Sequence, residues 1–458
     1  MELPLHLLSA NFVKTKKITP NTPYEIREMD AKALLRPERL DLAAKIAYIE
    51  AREEGGDMSF ARELYQKHIE AFSEGNYIEP GDENKTSLER FFSTFDELID
   101  NYKDNGFNSD KSLVPIGRDN IILDGAHRTA CAIYFGGKIS VISFPRFEVN
   151  FDYHYFRGRR LSEEMLEYMA IVYSRYASKP LYLACLWPVS SVAKRSQAVE
   201  IIAARHGIVY DTSIMLKKNG LRNFMMQIYQ HQDWIGTPDN HFAGVMGKVD
   251  ACFVPNTPTE TILFEGGALE DVLQMKDRIR DVFMLDKHAV HISDSNEETK
   301  LMASLLFSAN SRHALNFGKP DAFPQRFREF KAMKETGAIL GTAATLAYYG
   351  IADVGDVTVD SPSFDGWNPR TCFAFDGLKF PALAKVKENL PADDMDISKK
   401  VAALLKLNEN NACKRKLEDW KTTFIWKARK VELRCKQIAM KVTQKIGLYE
   451  VLHRLHHR

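Results

Sequence analysis

At 458 residues the chain is too long for one ordinary hydrophobic core, and two to three domains are expected. Its 45% hydrophobic and 27% charged residues are those of a globular protein, and no apolar run approaches the roughly 20 residues of a transmembrane helix. A net charge of +1 excludes a global electrostatic case for nucleic acid, and six scattered cysteines without Cys-x-x-Cys or zinc spacing suit a reducing cytoplasm.

Met1-Glu2-Leu3-Pro4 lacks a basic region followed by an apolar core, so no signal peptide is expected. Leu42–Glu54, Phe60–Phe72 and Leu88–Tyr102 read as helices. The run Asn120-Ile121-Ile122-Leu123-Asp124-Gly125-Ala126-His127-Arg128-Thr129 opens apolar and β-favouring, turns at Asp124-Gly125 and continues in helix-compatible residues. A strand that breaks at Gly into a helix leaves backbone N–H groups where an anion is well placed. Asp124, Gly125, His127 and Arg128 are therefore candidate phosphate or nucleotide ligands, His127 offering a protonatable ring and Arg128 a fixed fork of donors. The plainer reading is a βα turn with a buried Asp–Arg pair.

Asp124-Gly125-Ala126-His127-Arg128, preceded by Val114-Pro115-Ile116-Gly117-Arg118-Asp119-Asn120, resembles the signature of the ParB/sulfiredoxin superfamily over about residues 85–145. The resemblance implies a ParB/sulfiredoxin-like domain with a helical lead-in over residues 1–155, and a nucleotide bound or used at the motif. Sulfiredoxin places a Cys before the His; Ala126 stands there, so that chemistry is not expected.

Residues 156–330 alternate strand-like and helix-like patterns. Strands are expected at Leu181–Trp187, Ile208–Tyr210, Val249–Phe253, Glu260–Phe264 and Ala289–Ile292, and helices at Ser191–His206, Leu221–Gln230 and Leu269–Phe283. The alternation predicts a central α/β layer. Ser295 with Glu298 predicts a capping box that opens a helix to Phe307. Polar groups beyond strand ends are where open α/β sheets bind ligands, so His291 and Asp294 are candidate catalytic residues, His291 as general base or phosphate contact. The alternative is a capped helix with His291 merely packed. Lys276 and Arg280 share one helical face and either clamp a diphosphate or form a solvent face with Asp277 and Glu270. Trp234 and Lys248 also read as ligand contacts. The aromatic and basic run Phe151–Arg157 reads either as a stacking surface or as a packing seam.

In residues 331–405, Gly341-Thr342 begins a helix-like run to Tyr349, and a strand is expected through Asp356-Val357-Thr358-Val359-Asp360. This resembles the polymerase-β-type nucleotidyltransferase pattern, in which a Gly-rich helix start is followed by a strand bearing Asp-x-Asp. The resemblance implies a mixed sheet, Gly341 and Thr342 against phosphate, and Asp356 as a catalytic carboxylate holding Mg2+. Thr358 stands where the second carboxylate belongs; Asp360, on the same strand face by period two, is the candidate replacement metal ligand. Asn368–Phe380 reads as a hairpin with an Asp-Gly turn, bringing Lys379 to phosphate. A diverged α/β domain without a metal site is the competing reading.

From Lys414 the chain carries thirteen Lys/Arg against four Asp/Glu, while the remainder nets −8. Trp420, Phe424, Val431 and Ile438 recur at helical spacing, so residues 406–458 are expected to form a basic amphipathic helix suited to an anionic membrane surface. The whole reads as an α/β (α+β) multidomain chain whose arrangement resembles proteins of bacterial surface-polysaccharide gene clusters. That resemblance implies a cytoplasmic transferase, peripheral at the inner membrane. It would move a glycosyl, phosphoribosyl or nucleotidyl group from a nucleotide, a nucleotide sugar or phosphoribosyl diphosphate to a glycan or lipid-linked acceptor. Two other classes stay open: a small-molecule kinase centred on Asp124, and a nucleotide-gated DNA-binding protein. Against the latter, no helix-turn-helix pattern follows residue 145, and nucleic acid is not an expected partner.

Overall fold

The computed structural model describes residues 3–55, 57–77, 87–336, 340–358, 368–390 and 395–407. Asp360 and the basic tail beyond Leu407 lie outside the described residues. Among the described residues the architecture is helix-rich α+β with three small sheets.

In the first sheet, β1 (Glu25–Asp30) runs antiparallel and β2 (Val114–Ile116) parallel to β3 (Lys138–Ser143). β1 escapes a reading by periodicity because five of its six residues are exposed and no apolar alternation marks it. Helix Asp41–Glu53 packs against helices Ser59–Ser73, Ala126–Phe135 and Glu163–Tyr176, which buries nearly its whole circumference. At its start the Asp41 carboxylate accepts two bonds from Arg39, at 2.7 and 2.8 Å, and one from Lys45 at 2.9 Å. Lys45 Nζ lies 3.0 Å from His68 Nε2, and all four side chains are buried. Burial alone would neutralise Asp41, but Arg39 and Lys45 overcome it and hold the carboxyl far below its usual range. Burial and the Lys45 charge push His68 well down, so it is a neutral acceptor.

The central sheet has the order β5 (Gly207–Ile214), β6 (Thr259–Glu265), β4 (Leu181–Leu186) and β7 (Val290–Ile292). Every neighbouring pair is antiparallel, so strand carboxyl ends do not gather on one edge and the ligand rule for open parallel sheets does not apply. Tyr182, Ala184, Leu186, Ile262, Phe264 and Val290 face a core closed by helices Arg195–Ala203 and Leu269–Phe283. Leu183, Cys185 and Leu263 face the main core, and His291, paired with Cys185, lies on that same side. The strand expected at Val249–Phe253 is instead part of helix Val245–Cys252. Val245, Val249 and Cys252 are its buried positions, a helical period concealed in a short apolar run.

Beyond Leu340 come helix Thr342–Tyr348, the antiparallel hairpin β8 (Cys372–Phe375)–β9 (Leu378–Pro381) and helix Leu383–Asn389. The strand expected at Asp356–Asp360 lies only partly within the described residues, which show no mixed sheet here. Gly350 and Gly355, at φ 65° and 64°, turn the chain, and only Thr358 bridges to Leu340. One hydrophobic core runs from Ala31 to Val401, across the divisions expected at 155/156 and 330/331. No helix among the described residues is long and apolar enough to cross a membrane.

Candidate functional site

A cleft of about 1100 Å3 opens between helix Leu269–Phe283, β7 with the turn after it, the end of helix Lys218–Ile228 and the β8–β9 hairpin. Eight lysines and arginines line it, against three acids: Asp294, Glu297 and Glu298. Of the cations, Lys287, Lys300 and Lys379 make no ion pair among the described residues. Cations that outnumber the acids around them build a positive potential that attracts an anion.

β7 places His291 in one wall, and the turn after it supplies Asp294. Ser295 caps helix Asn296–Leu306 by accepting the Glu298 N–H at 3.1 Å, the forward half of the expected capping box. The Glu298 side chain turns elsewhere, to the Asp294 N–H at 2.7 Å and to His291 Nε2 at 3.0 Å. His291 Nδ1 lies 3.3 Å from the Tyr229 hydroxyl. Both ring nitrogens are thus engaged and the His291 side chain is only 7% exposed, so the ring stands behind Tyr229. Burial opposes ionisation of Glu298, but the His291 bond and charge and the Asp294 N–H outweigh it and keep the carboxyl below its usual range. With Glu298 a carboxylate, His291 Nε2 is placed to donate to it, and Nδ1 faces the Tyr229 hydroxyl. Burial, helped by Cys252 and Glu298, raises the Tyr229 pKa and keeps its hydroxyl protonated. Tyr229, Glu298 as a partner of His291, and the cations Lys287, Lys300 and Lys334 escape the sequence reading. The only signal was Tyr229-Gln230-His231-Gln232, a polar and aromatic end to an apolar helix.

On the facing helix Lys276 Nζ donates to the Ile292 carbonyl at 3.2 Å and lies 3.5 Å from Asp294. Arg280 makes the expected pair with Asp277 at 2.9 Å and also lines the cleft. Lys248 lines the cleft and donates to the Lys287 carbonyl, and burial depresses its pKa. The hairpin forms as expected, with Asp376 and Gly377 both at positive φ, 47° and 80°. Its tip is pinned: the Asp376 N–H donates to Gln227 at 2.8 Å, and its carboxylate accepts from Gln230 at 2.7 Å and Lys334 at 3.0 Å. That anchorage sets Lys379 in the cleft wall.

His291, Asp294, Lys276, Arg280 and Lys379 therefore converge. The other expected residues do not join them. Asp124 accepts the Ser9 hydroxyl and the Gly125 N–H, each at 2.6 Å. His127 Nε2 meets the Tyr65 hydroxyl at 2.8 Å, with its ring edge-on to Phe95. Arg128 lies beside Asp124, and burial lowers its pKa against the pull of that charge. Gly341 is buried with its N–H on the Val357 carbonyl at 3.0 Å, leaving no donor for phosphate, and the helix that Thr342 begins has seven residues. Asp356 is on a loop, where one carboxylate oxygen accepts both the N–H and the hydroxyl of Thr358. No cluster of three metal-ligating side chains occurs among the described residues, and Asp360, the other expected Mg2+ ligand, lies outside them. No family model, curated protein or solved structure matches the chain.

Proposed function

We propose that the chain is a transferase that takes a phosphorylated donor into the cationic cleft and passes a group from it to a hydroxyl acceptor. The observation that carries the reading is the surplus of cations beside the Tyr229–His291–Glu298 chain. Lysines act as point charges on a diphosphate, and Lys276 and Arg280 from one helix meet it as it leaves. As the acceptor hydroxyl attacks, its proton passes to the Tyr229 oxygen and the Tyr229 proton passes to His291 Nδ1. The Glu298 carboxylate steadies the imidazolium that results. Tyr229 thus takes the front position expected of His291, and His291 becomes its proton acceptor. The donor is a nucleotide, a nucleotide sugar or phosphoribosyl diphosphate. The basic tail from Lys414 supports a glycan or lipid-linked acceptor at an anionic membrane surface.

Thermal unfolding with pyrophosphate, nucleoside diphosphates, nucleotide sugars and phosphoribosyl diphosphate, with and without Mg2+, tests the reading. A ligand at about 100 times its dissociation constant adds about 2.7 kcal/mol. The shift should fall by about half or more in Lys276→Ala/Arg280→Ala and persist in full in Asp124→Asn. A shift lost only in Asp124→Asn would move the site to the N-terminal motif, and no shift with any ligand would sink the proposal.

A further inference from the structure

Among the described residues, one Phe, Tyr or Trp side chain is exposed: Trp234, at 46%. It lines the cleft, and its indole leans on Tyr229 with ring centroids 5.3 Å apart. Trp187, by contrast, is fully buried. Leaving an indole in water forgoes one of the largest available gains from burial, so its place at the cationic cleft calls for an aromatic partner from outside the chain.

The loop that carries it is fixed. The Gln232 N–H donates to the Tyr229 carbonyl at 2.9 Å, and Ile235 is buried next to the exposed indole. Thr237 and Asn240 cap each other, and the Thr237 N–H donates to Asn240 at 2.9 Å. Gly244 lets the backbone close behind: a Cβ there would lie 1.8 Å from the Trp234 carbonyl oxygen. The indole is therefore held outward before any ligand arrives, which lowers the ordering cost of stacking on it.

We propose that the exposed indole of Trp234, backed by Tyr229, is a shelf that stacks the base of a nucleoside diphosphate, whose phosphates lie against the lysines of the cleft. The donor class is then a nucleoside diphosphate compound, and phosphoribosyl diphosphate, which has no base, is the poorer ligand. This rests on the cleft being a phosphate site. Stacking on an exposed aromatic is tolerant of base identity, since every base has a π face.

Calorimetric titration of the full chain with pyrophosphate, UDP, ADP and glucose 1-phosphate, followed in parallel by tryptophan fluorescence, tests it. UDP and ADP should bind about 10-fold more tightly than pyrophosphate and quench the indole. Trp234→Ala should bring both down to the pyrophosphate level and leave pyrophosphate unchanged, while Trp234→Phe keeps most of the advantage. Equal affinities for UDP, ADP and pyrophosphate, or a Trp234→Ala loss shared by pyrophosphate, would overturn the shelf and leave the phosphate cleft standing. An equal loss for glucose 1-phosphate would overturn it too, making the shelf a sugar platform. Failure of all four ligands to bind would overturn the cleft reading and the shelf together.

Discussion

At the Asp124–Arg128 turn, Asp124 is bonded to Ser9 and to the Gly125 N–H, and His127 to Tyr65. In the cleft, Lys287, Lys300 and Lys379 face open volume with no ion pair among the described residues. The two regions hold the same kinds of side chain. In the first, Asp124 and His127 are held by partners from the chain, and Arg128 lies in the field of Asp124; in the second, the cations are kept apart by separate elements. A buried polar group must find a partner, and where the chain supplies it nothing is left for a ligand. Residue type alone therefore does not separate a phosphate site from a polar joint.

The sharpest contrast lies in stability. Asp41→Ala leaves Arg39 and Lys45 buried without a counter-charge, and should cost about 3–5 kcal/mol in urea unfolding. Pyrophosphate affinity should be unchanged once the variant is folded. A large loss of affinity at full stability would give the N-terminal region a binding role and break the contrast.

Next comes chemistry. Tyr229→Phe should lower the rate of group transfer about 100-fold or more with donor affinity unchanged, since only the proton path is lost. His127→Phe should leave the rate within a few-fold; the reverse ranking would put the reaction at the N-terminal motif.

Affinity follows. The pair Lys276→Ala/Arg280→Ala should weaken pyrophosphate at least about 10-fold, and the wild-type affinity should fall with added salt because exposed charges are screened. Asp356→Asn should change neither, as its carboxylate is engaged by Thr358.

The smallest effect is on pH. Burial and Lys45 depress the folded pKa of His68 below its ordinary 6.5, so below about pH 6.5 the unfolded chain takes up a proton that the folded chain refuses. Stability should then fall on acidification by about 1.4 kcal/mol per pH unit for that one proton. Glu298 and Asp41 are depressed too and act with the same sign, but they stabilise above their ordinary values of 4.5 and 3.8, so their contribution is lost only as pH falls further. Urea unfolding between pH 7 and 5 separates the windows; a flat profile there would mean that His68 is accessible or charged in the fold.

Local features of the fold were legible because short-range physics decides them. Leu269–Phe283 forms a helix with the bounds its apolar spacing implies, Ser295 caps the helix after β7, and Asp376-Gly377 turns the hairpin. Val249–Phe253 misled because four or five apolar residues fit a strand and a buried helix equally well. Asp356 could be placed only in part: its carboxylate is bonded to Thr358, and Asp360, which would share its strand face, lies outside the described residues. Part of the cleft could be read: His291, Asp294, Lys276, Arg280 and Lys379 were each found from their own surroundings. Their assembly was not legible, since periodicity says that a face is buried and never against what. Tyr229 was hidden for that reason, its role set by His291 more than sixty positions along the chain.

The hairpin tip at Asp376 is fastened to Gln227 and Gln230, about 150 positions earlier. A growing chain has its His291 wall well before its Lys379 wall, so the pocket closes late in synthesis, when the hairpin docks. The half-built cleft shows cations on one side only. A ligand bridging both walls would act as a clasp, slowing proteolysis of the hairpin as well as of the central sheet, and coupling the docking of the hairpin with the first event of recognition.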